Sequence, residues 1–113
     1  MTRLSEAQVE RALKPLTGWR REGDYITKEF RFPTFLAGIR FVDAVALVAE
    51  AQEHHPDIHV VWTTVTLNIQ THDEGGLTKW DFDLARAIER TSPAPRRGLG
   101  RLRVSSREFL YTT

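Results

Sequence analysis

Residues 65–70, Val-Thr-Leu-Asn-Ile-Gln, alternate without a break between apolar and polar side chains. Successive side chains of a strand point to opposite faces. Val65, Leu67 and Ile69 therefore share one face, and Thr66, Asn68 and Gln70 the other. A strand of this kind suits a sheet that is covered on one side only. Ile58-His59-Val60-Val61-Trp62 reads as its hairpin partner, and Tyr25–Phe32 as a further strand rich in aromatic and β-branched residues. Arg20–Asp24 reads as the turn of an earlier hairpin that starts near Trp19.

Three helical segments accompany the strands. Ser5 and Gln8 form a capping box, with Leu4 and Val9 placed as its staple, and Val9, Ala12, Leu13 and Leu16 recur on one face until Pro15 and Gly18 end the segment. Thr34 is the candidate cap of a long Ala/Val-rich helix from Phe35 to about Glu53, with Phe35, Ile39, Val42, Ala46 and Ala49 expected to face the core. His54-His55-Pro56 closes it, because a residue before proline is pushed out of the α region. Thr78 and Asp81 form a second box, stapled by Leu77 and Phe82, for a helix whose core face is expected to use Trp80, Leu84, Ala87 and Ile88.

The expected fold class is therefore α+β in the order α-β-β-α-β-β-α: a four-stranded antiparallel sheet with three helices packed on one face. It occupies residues 1–91. Residues 92–113 form a basic extension that opens with the linker Ser92-Pro93-Ala94-Pro95, with Glu108–Tyr111 as a candidate extra strand. The extension carries five arginines and one glutamate, which leaves 11 of the 16 Lys+Arg and 14 of the 15 Asp+Glu to residues 1–91. That asymmetry is too small to demand a nucleic-acid partner. No apolar run approaches the roughly 18 residues of a membrane span. With no signal-like N-terminus and no cysteine, the expected compartment is the cytoplasm.

The absence of cysteine removes thiol nucleophiles and Cys-based metal sites, and neither a Gly-x-Ser-x-Gly elbow nor a Gly-rich phosphate loop is present. All four histidines lie between positions 54 and 72. His54 and His55 leave a helix on a backbone locked by Pro56. Glu50, four residues before His54, is placed to hydrogen-bond its ring, and a loop can carry His72 towards the same pocket. Imidazoles that titrate near neutrality suit acid–base catalysis. The bland reading, surface polar residues and a helix cap, stands beside this one, because a histidine pair is not a specific signature. A metal site is disfavoured, since Pro56 breaks the helix that would align His55 with His59. His59 alone reads as a strand residue.

Taken jointly, Glu50-x3-His54-His55-Pro56, Trp62, His72 and Gly75-Gly76-Leu77-Thr78-x2-Asp81 resemble the pterin-4a-carbinolamine dehydratase family, over about Gly18 to Ile88. The resemblance implies a dehydratase that converts 4a-hydroxytetrahydropterins to quinonoid dihydropterin and water in tetrahydrobiopterin recycling, without metal or other cofactor. It implies acid–base roles for His54 and His72, a pterin-holding role for His55, and support of the first histidine by Glu50. Asp81 matches the family's aspartate, although a cap at the third helix would also account for it. Trp19 matches an aromatic near the pterin, with a core position as its alternative, and the backbone of Gln70-Thr71-His72 would pair with the pterin edge. Family members are usually homodimers or homotetramers. Some proteins of this fold instead partner transcription factors or help assemble carbon-fixing enzymes, which makes a binding module the alternative function. Trp80 departs from the pattern where animal members tend to carry arginine, as does Ile58 where an aromatic is common.

Overall fold

A computed structural model of the chain describes residues 2–91, so the extension from residue 92, with its candidate strand, lies outside the described residues. The elements are α1 (Glu6–Leu13), β1 (Arg20–Glu22), β2 (Tyr25–Arg31), α2 (Phe35–Gln52), β3 (Asp57–Val61), β4 (Thr64–Ile69), a single 3₁₀ turn (His72–Glu74) and α3 (Lys79–Thr91). The fold is α+β in the expected order, with an antiparallel sheet ordered β1-β2-β4-β3.

The alternation read from residues 65–70 organises this sheet. Ile26 pairs with Ile69, Lys28 with Leu67 and Phe30 with Val65, while Ile58 and Val60 of β3 stand opposite Leu67 and Val65. Directly opposed residues share a face, so these side chains, Lys28 apart, form one apolar floor. Ile26, Val65, Leu67 and Ile69 are fully buried in it, each stabilising the fold by about 1.5–3 kcal/mol relative to exposure. The opposite face carries Thr27, Glu29, Thr66, Asn68, Asp57 and His59. His59 thus points away from the helical layer.

All three helices lie on the floor. Glu6 of α1 reaches Arg21, the core-facing residue of β1 opposite Ile26, at 2.5 Å. Glu89 of α3 binds Lys28 at 2.7 Å, and α2 packs on β3 and β4. The box at α1 is complete: Gln8 N–H donates to Ser5 Oγ (3.2 Å), and Ser5 N–H to Gln8 Oε1 (2.8 Å).

Three local expectations change. Arg20–Glu22 is strand rather than turn, and Gly23 (φ 60°) with Asp24 makes the tight connection. On α2 the buried residues are Gly38, Phe41, Val45 and Ala49, while Phe35 and Ala46 are exposed. The helix is apolar on nearly every side, so periodicity did not single out the stripe that meets the sheet. Trp80 is about half-exposed, because α3 buries Asp81, Phe82, Leu84, Ala85, Ala87 and Ile88 instead.

Candidate active site

The end of α2, the exit of β4 and the start of α3 meet at one place. α2 stops at Gln52 because Glu53 takes a left-handed conformation (φ 53°, ψ 39°). Its N–H bonds Glu50 O (3.2 Å) and the His54 N–H bonds Ala49 O (3.1 Å). This pair of bonds is the Schellman closure, normally made with glycine in the left-handed position. A glutamate there costs on the order of 1 kcal/mol, and the reversal it makes delivers His54 sideways onto α3.

His54 Nε2 lies 2.6 Å from Asp81 Oδ1, with the imidazole 13% exposed and the carboxylate fully buried. The other carboxylate oxygen, Oδ2, accepts the Thr78 backbone N–H (2.8 Å) and the Thr71 hydroxyl (2.8 Å). The two threonine hydroxyls are 2.9 Å apart, and Thr78 Oγ1 also accepts Trp80 N–H (3.2 Å). Asp81 therefore both starts α3 and holds a histidine. As a carboxylate it only accepts, and all three of its partners can donate to it. His54 then donates through Nε2–H, and in the tautomer that carries its one ring proton there Nδ1 is the acceptor nitrogen.

The expected partner of His54 is corrected. Glu50 instead binds His55 Nε2 at 2.7 Å, with both side chains largely exposed. Position i,i+4 would have suited Glu50 and His54 on a continuous helix. The left-handed turn at Glu53 rotates His54 away and brings His55 to the carboxylate. His72 opens the 3₁₀ turn one residue after the buried Thr71 and is itself exposed. Gln70 is partly buried beside Thr71, which pairs with Gly76 across the loop.

Trp19, expected near a ligand, is a core side chain. Its ring is edge-on to Phe30 (6.2 Å) and its indole N–H donates to Glu89 Oε2 (2.9 Å). Glu89 is eight residues along α3 from Asp81, about 12 Å at 1.5 Å per residue. The structure thus brings His54, Asp81 and Thr71 together, sets Glu50 and His55 on the neighbouring surface, and leaves Trp19 elsewhere.

Two contributions escaped the sequence reading. The Thr71 side chain, rather than only its backbone, belongs to the Asp81 cradle. Trp80 stands with its ring centroid 6.2 Å from that of His54, and a hollow of about 370 Å³ opens there, lined by Gln52, His54, Trp80, Asp83, Arg86 and Arg90. The i,i+4 spacing of the two arginines was the available signal.

The profile of the family described as Pterin 4 alpha carbinolamine dehydratase matches residues 2–91. A curated relative from Roseiflexus sp. (strain RS-1), named "Putative pterin-4-alpha-carbinolamine dehydratase", is 54% identical over 88 residues, covering 78% of this chain and 95% of that one. A relative of the same name from Mycobacterium sp. (strain JLS) is 46% identical over 89 residues, covering 79% and 95%. Among solved structures, a transcriptional coactivator/pterin dehydratase from Brucella melitensis superposes with a TM-score of 0.76 at 33% identity, covering 80% of this chain and 98% of its own. A pterin dehydratase-like RuBisCO assembly factor of the alpha-carboxysome shares the fold at 19% identity (TM-score 0.56; 67% and 88% covered). By the profile match and these identities, the chain belongs to the pterin-4a-carbinolamine dehydratase family.

Proposed function

We propose that the protein dehydrates 4a-hydroxytetrahydropterins to quinonoid dihydropterin and water by histidine acid–base catalysis, as a step in tetrahydrobiopterin recycling. The observation that carries this reading is the His54–Asp81 pair, an imidazole orientated by a buried carboxylate that is itself fixed by Thr71 and Thr78. Dehydration requires one proton delivered to the departing 4a-oxygen and one removed from a ring nitrogen. The pterin's charge is then unchanged overall, and water leaves. His54 Nδ1 takes the ring proton, since Nε2 is engaged with Asp81. His72, exposed on its turn, supplies the proton to the hydroxyl, and His55 helps hold the pterin. Such transfers contribute about 10²–10⁴-fold each. Stopped-flow absorbance with a 4a-hydroxytetrahydropterin tests the proposal: the protein should accelerate loss of the carbinolamine, and a rate equal to buffer would overturn it.

A second reading, a binding or assembly module acting beside or instead of catalysis, is favoured by the coactivator half of the Brucella protein's name and by the exposed apolar side chains Phe35, Leu47, Val61 and Trp62. A pull-down recovering a stoichiometric protein partner, with no dehydration, would establish it. The same exposed side chains support a homodimer or homotetramer, which sedimentation would reveal.

A further inference from the structure

The hollow beside His54 carries more positive charge than a neutral pterin needs. Trp80, Asp83, Arg86 and Arg90 line it and follow one another at spacings of three, three and four along one side of α3. Arg86 and Arg90 lie about 9 and 15 Å along the helix axis from Trp80. Two guanidinium groups face one carboxylate. Asp83 binds Arg86 at 2.5 Å and Lys79 at 3.0 Å. Burial works against its ionisation, but the hydrogen bonds and charges of Lys79 and Arg86 prevail and hold it below the usual carboxylate range. Arg90 is exposed, and no carboxylate among the described residues pairs with it. The volume, about 370 Å³, lies within the range of small-ligand sites.

We propose that this hollow selects a pterin bearing an anionic side chain, with its ring against Trp80 beside His54 and its carboxylate or phosphate held by Arg86 and Arg90. The inference rests on the dehydratase reading and names its substrate class. A planar guanidinium fork matches both anions, and charge-assisted bonds are stronger than those to a neutral dihydroxyalkyl group. The hollow is open and Arg86 is shared with Asp83, so the preference is about tenfold rather than a thousandfold.

Fluorescence titration of the full chain with three ligands of the same ring tests this: neutral biopterin, pteroylglutamate for a carboxylate, and 6-hydroxymethylpterin phosphate. At low salt at least one anionic ligand should bind about tenfold more tightly than biopterin, and added salt should reduce the preference. The Arg86→Gln/Arg90→Gln variant should bring the ratio to about one, with a circular-dichroism melt to check its fold. Asp83→Asn, which releases Arg86, should raise the ratio. Equal affinities in the unmodified protein, or a preference that survives the double variant, would overturn the inference and leave the dehydratase reading standing. If none of the three binds and no carbinolamine is dehydrated, both fall.

Discussion

Replacing Asp81 by asparagine separates the two tasks this residue performs. An asparagine of the same shape can keep its amide oxygen on the Thr78 N–H and the Thr71 hydroxyl, which now share Asp81 Oδ2. Its NH₂ group then faces His54 Nε2, where Oδ1 now accepts. A donor there forces the imidazole into the other tautomer, with the proton on Nδ1 and no free acceptor for the substrate. The cap survives and the base is lost. Stability should fall by no more than about 1 kcal/mol, whereas kcat should fall by about 10²–10⁴-fold, the range spanned by removal of a general base or of the group that sets its tautomer. Asp81→Ala is the control. It orphans the buried Thr78 N–H, leaves the Thr71 hydroxyl only Thr78 Oγ1, and should cost about 2–4 kcal/mol, from a lost cap plus an unsatisfied donor. Urea unfolding gives the stabilities, and stopped-flow absorbance gives the rates. An asparagine variant that keeps kcat within about threefold (less than 1 kcal/mol of barrier) would show that Asp81 does not set the tautomer of a catalytic imidazole. It would reduce Asp81 to a helix cap.

Glu53→Gly should stabilise the fold by about 0.5–1 kcal/mol, because glycine removes the left-handed penalty at φ 53°; a lower urea midpoint would mean that the glutamate side chain makes a stronger contact than the turn costs. Arg3 Nη1 donates to Gly75 O (3.2 Å), and a Cβ on Gly76 would overlap the Arg3 side chain, so the N-terminal segment holds the turn that carries His72. Gly76→Ala and Arg3→Ala should therefore each lower kcat a few-fold, with the double variant no worse than either single; additive losses would contradict that coupling. Glu50→Gln should change stability by less than about 0.5 kcal/mol, since its pair with His55 is exposed, and should cost far less rate than Asp81→Asn. Equal rate losses would restore Glu50 as the partner that matters.

Those contrasts also mark how far the sequence could be read. The sheet face was legible because Val65, Leu67 and Ile69 alternate with polar residues, and a period of two has only one burial solution. The start of α1 was legible because a capping box is local chemistry, and Ser5 and Gln8 bond as expected. The core stripe of α2 was not: a helix with Phe35, Leu36, Ile39, Phe41, Val42, Val45, Leu47 and Val48 offers apolar residues on several faces, and only packing against β3 and β4 chooses among them. His54, Asp81 and Thr71, which the structure brings together, were singled out through resemblance to a family, yet the partner of His54 was assigned by sequence proximity to Glu50. Local spacing cannot anticipate a left-handed residue at Glu53, and that one backbone torsion decides which histidine meets which carboxylate. Trp80 left its expected core position, and Trp19 took the core position that was its alternative, for a related reason. Aromatic residues fit a core and a ligand shelf equally well, and their position relative to Glu89 and His54 is tertiary information.

In the proposed dehydration of a pterin carbinolamine, His54, orientated by Asp81, and His72 transfer the two protons. The most direct test is the stopped-flow rate with a 4a-hydroxytetrahydropterin, compared between the unmodified protein and the His54→Ala/His72→Ala double variant. The unmodified protein should give clear acceleration and the double variant a rate close to buffer. An unchanged rate in the double variant would rule out these histidines as the proton carriers.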